Sequence, residues 1–93
     1  MNWGDTINQA TYLLNVQRAI AQTEAIPEGC NFPEYRTGWE ELSLDLAYAM
    51  SLGETATRQH LFLWNDDLLL ENAEEIGYLA RVKAIKRHME NMQ

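Results

Sequence analysis

The polar and apolar residues in the first quarter of the chain repeat with the period of an α-helix. From about Asp5 to Ala25, apolar residues such as Ile7, Leu13 and Leu14 gather on one side of a helical wheel. Asp5 is a suitable N-cap, and the following "IPEG" predicts the end of the helix because proline disfavours helical dihedrals in the residue before it. The opposite side of this predicted helix is polar and carries Asn8, Thr11, Asn15, Arg18 and Gln22.

A loop and a second helix are predicted next. The stretch "PEGCNFPEYRTG" contains both prolines and two of the five glycines, which indicates an ordered loop. Thr37 and Glu40 have the spacing of a capping box, so the second helix is expected to begin near Gly38 and to end at Gly53. Because the second half of this helix is nearly all apolar, we expect it to be the most buried element. The substitution Ala47→Asp is then expected to cost several kcal/mol.

The remainder of the chain predicts one long helix or two, with "WNDD" as the joint. We favour a helix from about Thr55 to Trp64, a cap at Asn65, and a long helix from about Asp66 to Asn91. A β-hairpin through "HLFLWND" is the alternative. The sequence therefore predicts an all-α protein with a single domain, built as a compact bundle of three to four helices with a long C-terminal helix.

Composition and charge narrow the class of protein. The 93 residues are 46% hydrophobic and 23% charged, which is typical of a globular protein in which Trp3, Trp39 and Trp64 anchor the core. Residues 1–80 hold thirteen acids and three bases, whereas residues 81–93 hold four bases and one acid. Such an acidic body disfavours binding to nucleic acid or to an anionic membrane. It fits a basic protein partner, or a need for solubility.

The start of the chain and its single cysteine predict the compartment. The opening "MNWGDTINQ" lacks the basic and apolar regions of a secretory signal. No run of about 18 apolar residues predicts a membrane span. Cys30 has no second cysteine with which to form an intramolecular disulfide. We therefore expect a cytoplasmic protein that does not contact a membrane.

Residues that could carry chemistry are few. His60 and His88 have no histidine or cysteine at ligand spacing, so we expect them at the surface or at helix ends. No phosphate-binding loop or nucleophile motif is present, and we predict no enzymatic activity, no metal and no cofactor. A group of carboxylates near the start of the last helix is interpreted as a solvated acidic face rather than as an acid–base or metal site. The acidic face consists of Asp67, Glu71, Glu74 and Glu75.

The last predicted helix carries apolar residues on two different sides. Its first part predicts an inward face that contains Leu69, Ile76 and small residues from Ala73 to Ala84, which allow close packing against the second helix. Beyond residue 81 the apolar residues shift to the side that is acidic a few turns earlier. A basic and apolar helix end suits docking on an acidic partner, including a second copy of this chain. The predicted partner-binding residues are Arg81, Val82, Ile85, Lys86, Met89 and Met92.

These observations favour a small acidic, non-enzymatic interaction protein that forms a homodimer and acts as an inhibitor or adaptor by occluding a partner protein. Its size, its acidity and its lack of catalytic motifs are shared by many phage-encoded inhibitors of host machinery. This similarity is general, and no sequence motif supports it. One alternative is a DNA mimic that occupies a nucleic-acid-binding groove. Another alternative is a protein that binds a small ligand or nucleic acid through its basic C-terminal segment. Four basic residues beside an acidic body support nucleic-acid binding only weakly.

Overall fold

A computed structural model of the chain describes residues 3–30 and 32–92, with side chains from Ile7 onward. In these residues the all-α prediction is confirmed, because the backbone forms helices and no strand. The β-hairpin alternative is wrong, because "HLFL" forms the last turn of a helix. The four helices of the described residues are α1 (Trp3–Gln22), α2 (Pro33–Leu52), α3 (Glu54–Leu63) and α4 (Ala73–Glu90).

The first helix begins and ends earlier than predicted. α1 already includes Trp3, so the prediction that Asp5 precedes the helix as its N-cap is wrong. The helix ends before Thr23, whose hydroxyl donates back to the Ala19 carbonyl at 2.7 Å. Such a local side-chain bond competes with continuation of the helix. α1 is amphipathic, but the predicted apolar side is wrong: Val16 and Ala19 are fully buried, whereas Ile7 and Leu14 are 59% and 45% exposed.

The second helix begins at Pro33, more than a turn before the predicted start. Proline suits the first turn of a helix because it has no amide hydrogen to leave unpaired. The predicted capping box of Thr37 and Glu40 is wrong, because Thr37 lies inside the helix and its hydroxyl donates to the Pro33 carbonyl at 2.9 Å. Gly53 ends the helix as predicted. It has a positive φ of 118°, and its amide bonds to the Met50 carbonyl at 3.1 Å.

Burial of α2 is confined to one side, so the expectation that it is the most buried element is wrong. Trp39, Leu42 and Leu46 are buried, whereas Tyr48 is 68% exposed and Ala47 is exposed as well. Because α2 packs against α3 and α4 along one side, its opposite side faces solvent. Ala47→Asp therefore places its charge in water, and the large predicted cost does not apply.

Residues 64–72 form a loop, so the C-terminal half of the chain contains two helices. α3 matches its predicted bounds to within one residue at each end. α4 begins after Asn72 rather than at Asp66, because the Asn72 side chain accepts from an amide of the first helical turn at 2.9 Å. Asn65, the predicted cap, accepts instead from the Asp67 amide at 2.9 Å and forms a turn within the loop.

All four helices described contribute to a common hydrophobic core. α4 packs mainly against α2 and also against α1. Two glycines allow α2 and α4 to approach each other closely. A Cβ atom at Gly38 would overlap the Glu74 carbonyl, and one at Gly77 would overlap the Tyr35 carbonyl. The core consists of Val16, Ala19, Leu42, Leu46, Leu61, Tyr78, Leu79, Val82 and Ile85.

Two of the three tryptophans predicted to anchor the core can be placed. Trp39 is 2% exposed, and its indole N–H donates to the Thr23 carbonyl at 3.0 Å. Trp64 is half-buried against the core, with its ring centroid 4.2 Å from that of Tyr78. The side chain of Trp3 lies outside the described residues.

Candidate functional site

The side of α4 predicted to bind a partner faces the protein's own core. Val82 and Ile85 are fully buried, and Arg81 is 2% exposed. Leu69 and Ile76, both predicted to lie on the inward side, are 94% and 47% exposed. The prediction of a free surface at Arg81, Val82 and Ile85 is therefore wrong. Its physical cause is that Leu69 belongs to the loop before α4, so its place on a helical wheel carries no information about the core.

The other residues of that predicted surface, Lys86, Met89 and Met92, are half-buried and contact other residues of this chain. Lys86 donates to the Trp64 carbonyl at 2.8 Å, and burial lowers the pKa of its ammonium group. Met89 packs against the core, and the Met92 amide bonds to the Met89 carbonyl at 3.1 Å. The basic end of α4 thus serves chiefly to close the bundle.

Arg81 is a buried cation that joins three helices. Its Nε donates to the Thr23 hydroxyl at 2.9 Å, its Nη2 to the Ile20 carbonyl at 2.9 Å, and its Nη1 to the Trp39 carbonyl at 3.0 Å. Ile20 and Thr23 lie at the C-terminal end of α1, where unpaired carbonyls carry a partial negative charge. The guanidinium therefore caps α1.

The residues of the predicted acidic face are divided between a loop and a helix. Asp67 and Glu71 are exposed in the loop before α4, whereas Glu74 and Glu75 are half-buried in its first turn. The carboxylates of the first turn are stabilised by the N-terminal end of the helix dipole. Glu75 also accepts from the Glu71 amide at 2.8 Å. The prediction that these acids share one face of a helix is wrong, because the helix starts after Asn72.

Glu74 and Glu75 instead meet two acids of α2, Glu41 and Asp45, around a cleft of about 440 Å³. The close approach of α2 and α4 at Gly38 brings the two helices together at this point. A hydrogen bond with the Glu74 carboxyl group, and repulsion between the two charges, raise the pKa of Glu41. The remaining wall of the cleft is formed by His60, Trp64, Asn72 and Tyr78.

Tyr78 connects α2 and α3 within the wall of this acidic cleft. Its hydroxyl donates to Asp45 Oδ2 at 2.8 Å, and the same hydroxyl oxygen lies 2.6 Å from His60 Nε2. Because a hydroxyl has one proton to give, His60 Nε2 is the donor of the second bond. Burial, followed by the hydrogen bond to Asp45, raises the pKa of Tyr78. The phenol is therefore protonated at neutral pH, and the chain of hydrogen bonds is complete.

An apolar groove of about 380 Å³ between α2 and α3 adjoins the acidic cleft. Asp45 and His60 line both, so the two form one continuous surface. Tyr48, Leu52 and Leu63 line the groove with side chains that are 68%, 64% and 55% exposed. We refer to the acidic cleft and the apolar groove together as the composite surface. The groove is completed by Ala49, Ala56 and Gln59.

The composite surface is negative. Within the part of the chain that the structure describes, no lysine or arginine lines either the cleft or the groove. The nearest cation of α3, Arg58, points to the other side of that helix, where it lies 3.8 Å from the centroid of the Tyr12 ring. Exposed apolar side chains next to an uncompensated negative potential are features of a contact surface for a protein of opposite charge.

The described residues contain no group of three or more histidine, cysteine, aspartate or glutamate side chains placed to hold a metal ion. Over the same residues, no helix combines the length and the apolarity that crossing a membrane requires. Comparison of the chain with protein-family models, with curated proteins and with solved structures finds no match.

Sequence reasoning did not find the residues that join the cleft to the groove. His60 lies in the last turn of α3, as expected for a helix end, but its ring is half-buried and bonded to Tyr78. Tyr78 is 18 positions from His60 and 33 from Asp45, so no local spacing indicates these contacts. One signal was available, since α2 carries more apolar residues than a single buried face requires.

Proposed function

We propose that this protein is a non-enzymatic interaction protein whose composite surface binds a partner segment that is both basic and apolar. The observation that carries the proposal is the continuity of the acidic cleft with the apolar groove through Asp45 and His60. Binding there covers the basic surface of the partner, which is how an inhibitor or adaptor acts. A cytoplasmic partner, such as host machinery targeted by a phage protein, belongs to the same proposal.

Electrostatics supports a basic partner. The chain has a net charge of −7, and four carboxylates surround the cleft, so a cationic segment is attracted before contact. Glu41 and Glu74 repel each other in the unbound protein, as the raised pKa of Glu41 reflects. A lysine or arginine side chain placed between these two carboxylates relieves their repulsion. The bound state therefore gains an interaction that the unbound protein lacks.

The apolar groove supplies the second half of recognition. Burial of exposed side chains such as Tyr48, Leu52 and Leu63 contributes about 25 cal/mol for each Å² of apolar surface that is covered. A groove between two helices suits an amphipathic helix, whose apolar residues recur on one side and whose basic residues lie at its edge. Tyr48 and Trp64 are of the residue types that most often carry binding energy at interfaces.

The alternative functions have less support. A DNA mimic needs carboxylates spaced along an exposed face in the manner of phosphates, whereas these acids surround a concave cleft beside apolar side chains. A binder that uses the basic end of α4 needs available cations there. Arg81 is instead buried, with its guanidinium hydrogen-bonded to carbonyls of this chain.

Nuclear magnetic resonance titration of the isotope-labelled protein with synthetic helical peptides tests the proposal. The first peptide carries leucines on one side and lysines at their edge, the second replaces the lysines by glutamates, and the third replaces the leucines by serines. We expect tight binding of the first peptide, with the largest amide shifts on α2 and α3. Equal binding of the acidic peptide, or shifts confined to α1, would contradict the proposal.

Paired variants separate the two halves of the composite surface. Glu41→Gln with Glu74→Gln removes charge from the cleft, and Tyr48→Ala with Leu52→Ala removes apolar area from the groove. Each pair is expected to weaken binding of the first peptide by about tenfold or more. Leu69→Asp, which adds a charge at an exposed position outside the composite surface, is the matched control and should leave the affinity unchanged.

A further inference from the structure

A second exposed apolar side chain, Leu69, lies outside the composite surface, within the loop of residues 64–72 whose end residues Trp64 and Asn72 line the acidic cleft. Leu69 is 94% exposed, and Asp67 and Glu71 are exposed on either side of it. The loop is held in place by its own bonds, since the Asn65 side chain accepts from the Asp67 amide at 2.9 Å and the Asn65 backbone carbonyl accepts from the Leu68 amide at 3.2 Å. Leu69 is thus presented to solvent on an ordered segment, which lowers the entropic cost of docking it elsewhere.

A cleft of about 590 Å³ between α1, α3 and α4 has the opposite character. Its walls contain two cations, Arg58 and Lys86, and one acid, Glu90. Arg58 stacks over the Tyr12 ring and forms an exposed ion pair with Glu54 at 3.3 Å, which compensates its charge only in part. Lys86 is held by its bond to the Trp64 carbonyl, a neutral acceptor. The apolar wall is formed by Leu61, Phe62 and Met89, of which Phe62 is 74% exposed. The Arg58–Lys86 cleft, as we call it, is complementary in charge and polarity to the loop.

The loop and the Arg58–Lys86 cleft are neighbours on the molecule. Lys86, which lines the cleft, bonds to the carbonyl of Trp64, the residue at which the loop begins. Asp66 of the loop pairs at 2.7 Å with Lys83, which lies one turn before Lys86 on α4. An interface with two-fold symmetry uses the same patch on both subunits, so its complementary parts must lie side by side on each. This arrangement meets that requirement.

We propose that the protein forms a symmetric homodimer in which the Leu69 loop of each protomer docks into the Arg58–Lys86 cleft of the other. Leu69 then contacts the apolar wall of the cleft, and the carboxylates beside Leu69 approach the two cations. Each protomer contributes one loop and one cleft, so the assembly closes at two subunits. Leu69, Arg58 and Lys86 do not line the composite surface, although Gln59 lines both its groove and the Arg58–Lys86 cleft.

Sedimentation velocity over a dilution series tests the dimer, with Leu69→Asp as the loop variant. We expect wild-type protein to dissociate from dimer to monomer on dilution, and the variant to raise the dissociation constant by about tenfold or more. Leu44→Asp is the matched control, because Leu44 is 70% exposed on α2, away from the loop and the cleft. The control should self-associate like the wild type. A monomer at every concentration, or a dimer indifferent to Leu69→Asp, overturns the proposal.

A mixing experiment distinguishes reciprocal docking from nonspecific association. Phe62→Asp is the cleft variant, at a side chain that is 74% exposed. Arg58→Glu is a second cleft variant, at a side chain that is 58% exposed. Homodimers of a loop variant or of a cleft variant have both contacts damaged, whereas a mixed dimer retains one intact contact. Fluorescence anisotropy of a labelled loop variant should therefore rise when the unlabelled cleft variant is added, with an affinity below that of the wild type. No association in the mixture overturns reciprocal docking.

The two proposals fail independently. Leu69→Asp serves as the control in the peptide titration, and Leu44→Asp serves as the control for self-association. A variant set in which Leu69→Asp abolishes the dimer but retains peptide binding supports both proposals. Loss of peptide binding in a protein that remains dimeric would implicate the composite surface alone.

Discussion

Arg81 donates to the backbone carbonyl of Trp39 at 3.0 Å and holds its guanidinium 5.3 Å from the centroid of the Trp39 ring. The Trp39 indole N–H donates in turn to the Thr23 carbonyl at 3.0 Å, and the Thr23 hydroxyl accepts from Arg81 at 2.9 Å. A cation of α4 and an aromatic side chain of α2 thereby close the C-terminal end of α1. The carbonyls that a helix leaves unpaired at this end are satisfied by side chains from two other helices.

Removal of this buried cation is expected to weaken the fold strongly. Arg81→Ala leaves buried carbonyls without donors and opens a cavity, which should lower the free energy of unfolding by about 3 kcal/mol or more. Urea unfolding followed by circular dichroism measures the loss. Arg58→Ala is the control, because Arg58 is exposed, and its ring contact and ion pair should cost less than about 1 kcal/mol. Equal losses for the two variants would show that the bonds of Arg81 are not what joins the helices.

At the crossing of α2 and α4, replacement of glycine by alanine is expected to lower the stability, although helix propensity alone predicts that it raises the stability. In an exposed helix, replacing glycine by alanine stabilises the protein by about 1 kcal/mol. At Gly38 the added Cβ overlaps the Glu74 carbonyl, so Gly38→Ala should instead destabilise the fold by about 1–3 kcal/mol. Ala47→Gly, at an exposed position of the same helix, should also destabilise the protein, by about 1 kcal/mol, through propensity alone. A stabilised Gly38→Ala variant would mean that the two helices are farther apart than described.

The helices could be predicted where local signals mark them. The helical period predicts α1, although not its buried side, Gly53 marks the end of α2, and the predicted bounds of α3 agree with the structure to within one residue at each end. The predicted start of α4 is wrong because Asn65 and Asn72 both precede acids and either can cap a helix. Only packing decides between them, since residues 64–72 are held as a loop by Asn65, by the Asp66–Lys83 ion pair and by the Trp64–Lys86 bond.

The composite surface could not be predicted from the sequence because it too depends on how the helices pack. Inclusion of Leu69 in the last helix misplaced the centre of the buried side of α4, although Gly77 packs closely against α2 as predicted. The buried side was also hard to identify because it contains Arg81, and a charged residue is seldom fully buried. The cleft requires Asp45, His60 and Tyr78 from three helices, and their contacts depend on how those helices cross. A helical pattern determines which residues share a face of one helix. It does not determine which faces of different helices meet.

The Glu41–Glu74 pair predicts that stability changes with pH in the weakly acidic range. The pKa of Glu41 is raised above its ordinary value of 4.5, so the folded protein binds this proton more tightly than the unfolded protein does. This contribution to stability is present at low pH and is lost as the pH rises through the raised pKa. Glu74→Gln removes the repulsion and should raise the melting temperature more at about pH 7 than at about pH 4.5. Thermal melts at both pH values measure the difference.

Asp66 provides a control of opposite sign for that experiment. Its hydrogen bond and charge pairing with Lys83 lower the pKa of Asp66 below the ordinary value of 3.8. This contribution is present above pH 3.8 and is lost as the pH falls through the lowered pKa. Lys83→Gln should therefore leave the difference between about pH 4.5 and pH 7 unchanged and reduce only the loss of stability at lower pH. A pH response that Lys83→Gln alters and Glu74→Gln does not would contradict the assignment to the carboxylate pair.

The Tyr78 hydroxyl should stabilise the fold and make it sensitive to alkali. Tyr78→Phe keeps the ring that packs on Trp64 but removes the bonds to Asp45 and His60, so the free energy of unfolding should fall by about 0.5–1.5 kcal/mol at neutral pH. The pKa of Tyr78 is raised above the ordinary value of 10.0, first by burial and then by the hydrogen bond to Asp45. The stabilisation is therefore fully present below pH 10.0 and is lost as the pH rises through the raised pKa.

Urea unfolding of wild type and Tyr78→Phe at neutral and at alkaline pH measures both effects, with Tyr48→Phe as the matched control. The Tyr48 side chain is 68% exposed, so removal of its hydroxyl should change the stability by less than about 0.5 kcal/mol. Tyr12 and Tyr35 also have raised pKa values, chiefly through burial, so Tyr78→Phe should reduce the alkaline loss of stability without abolishing it. Equal behaviour of the Tyr78 and Tyr48 variants would mean that the Asp45–Tyr78–His60 chain does not hold α2, α3 and α4 together. The composite surface would then lack the rigid junction between its acidic and apolar halves.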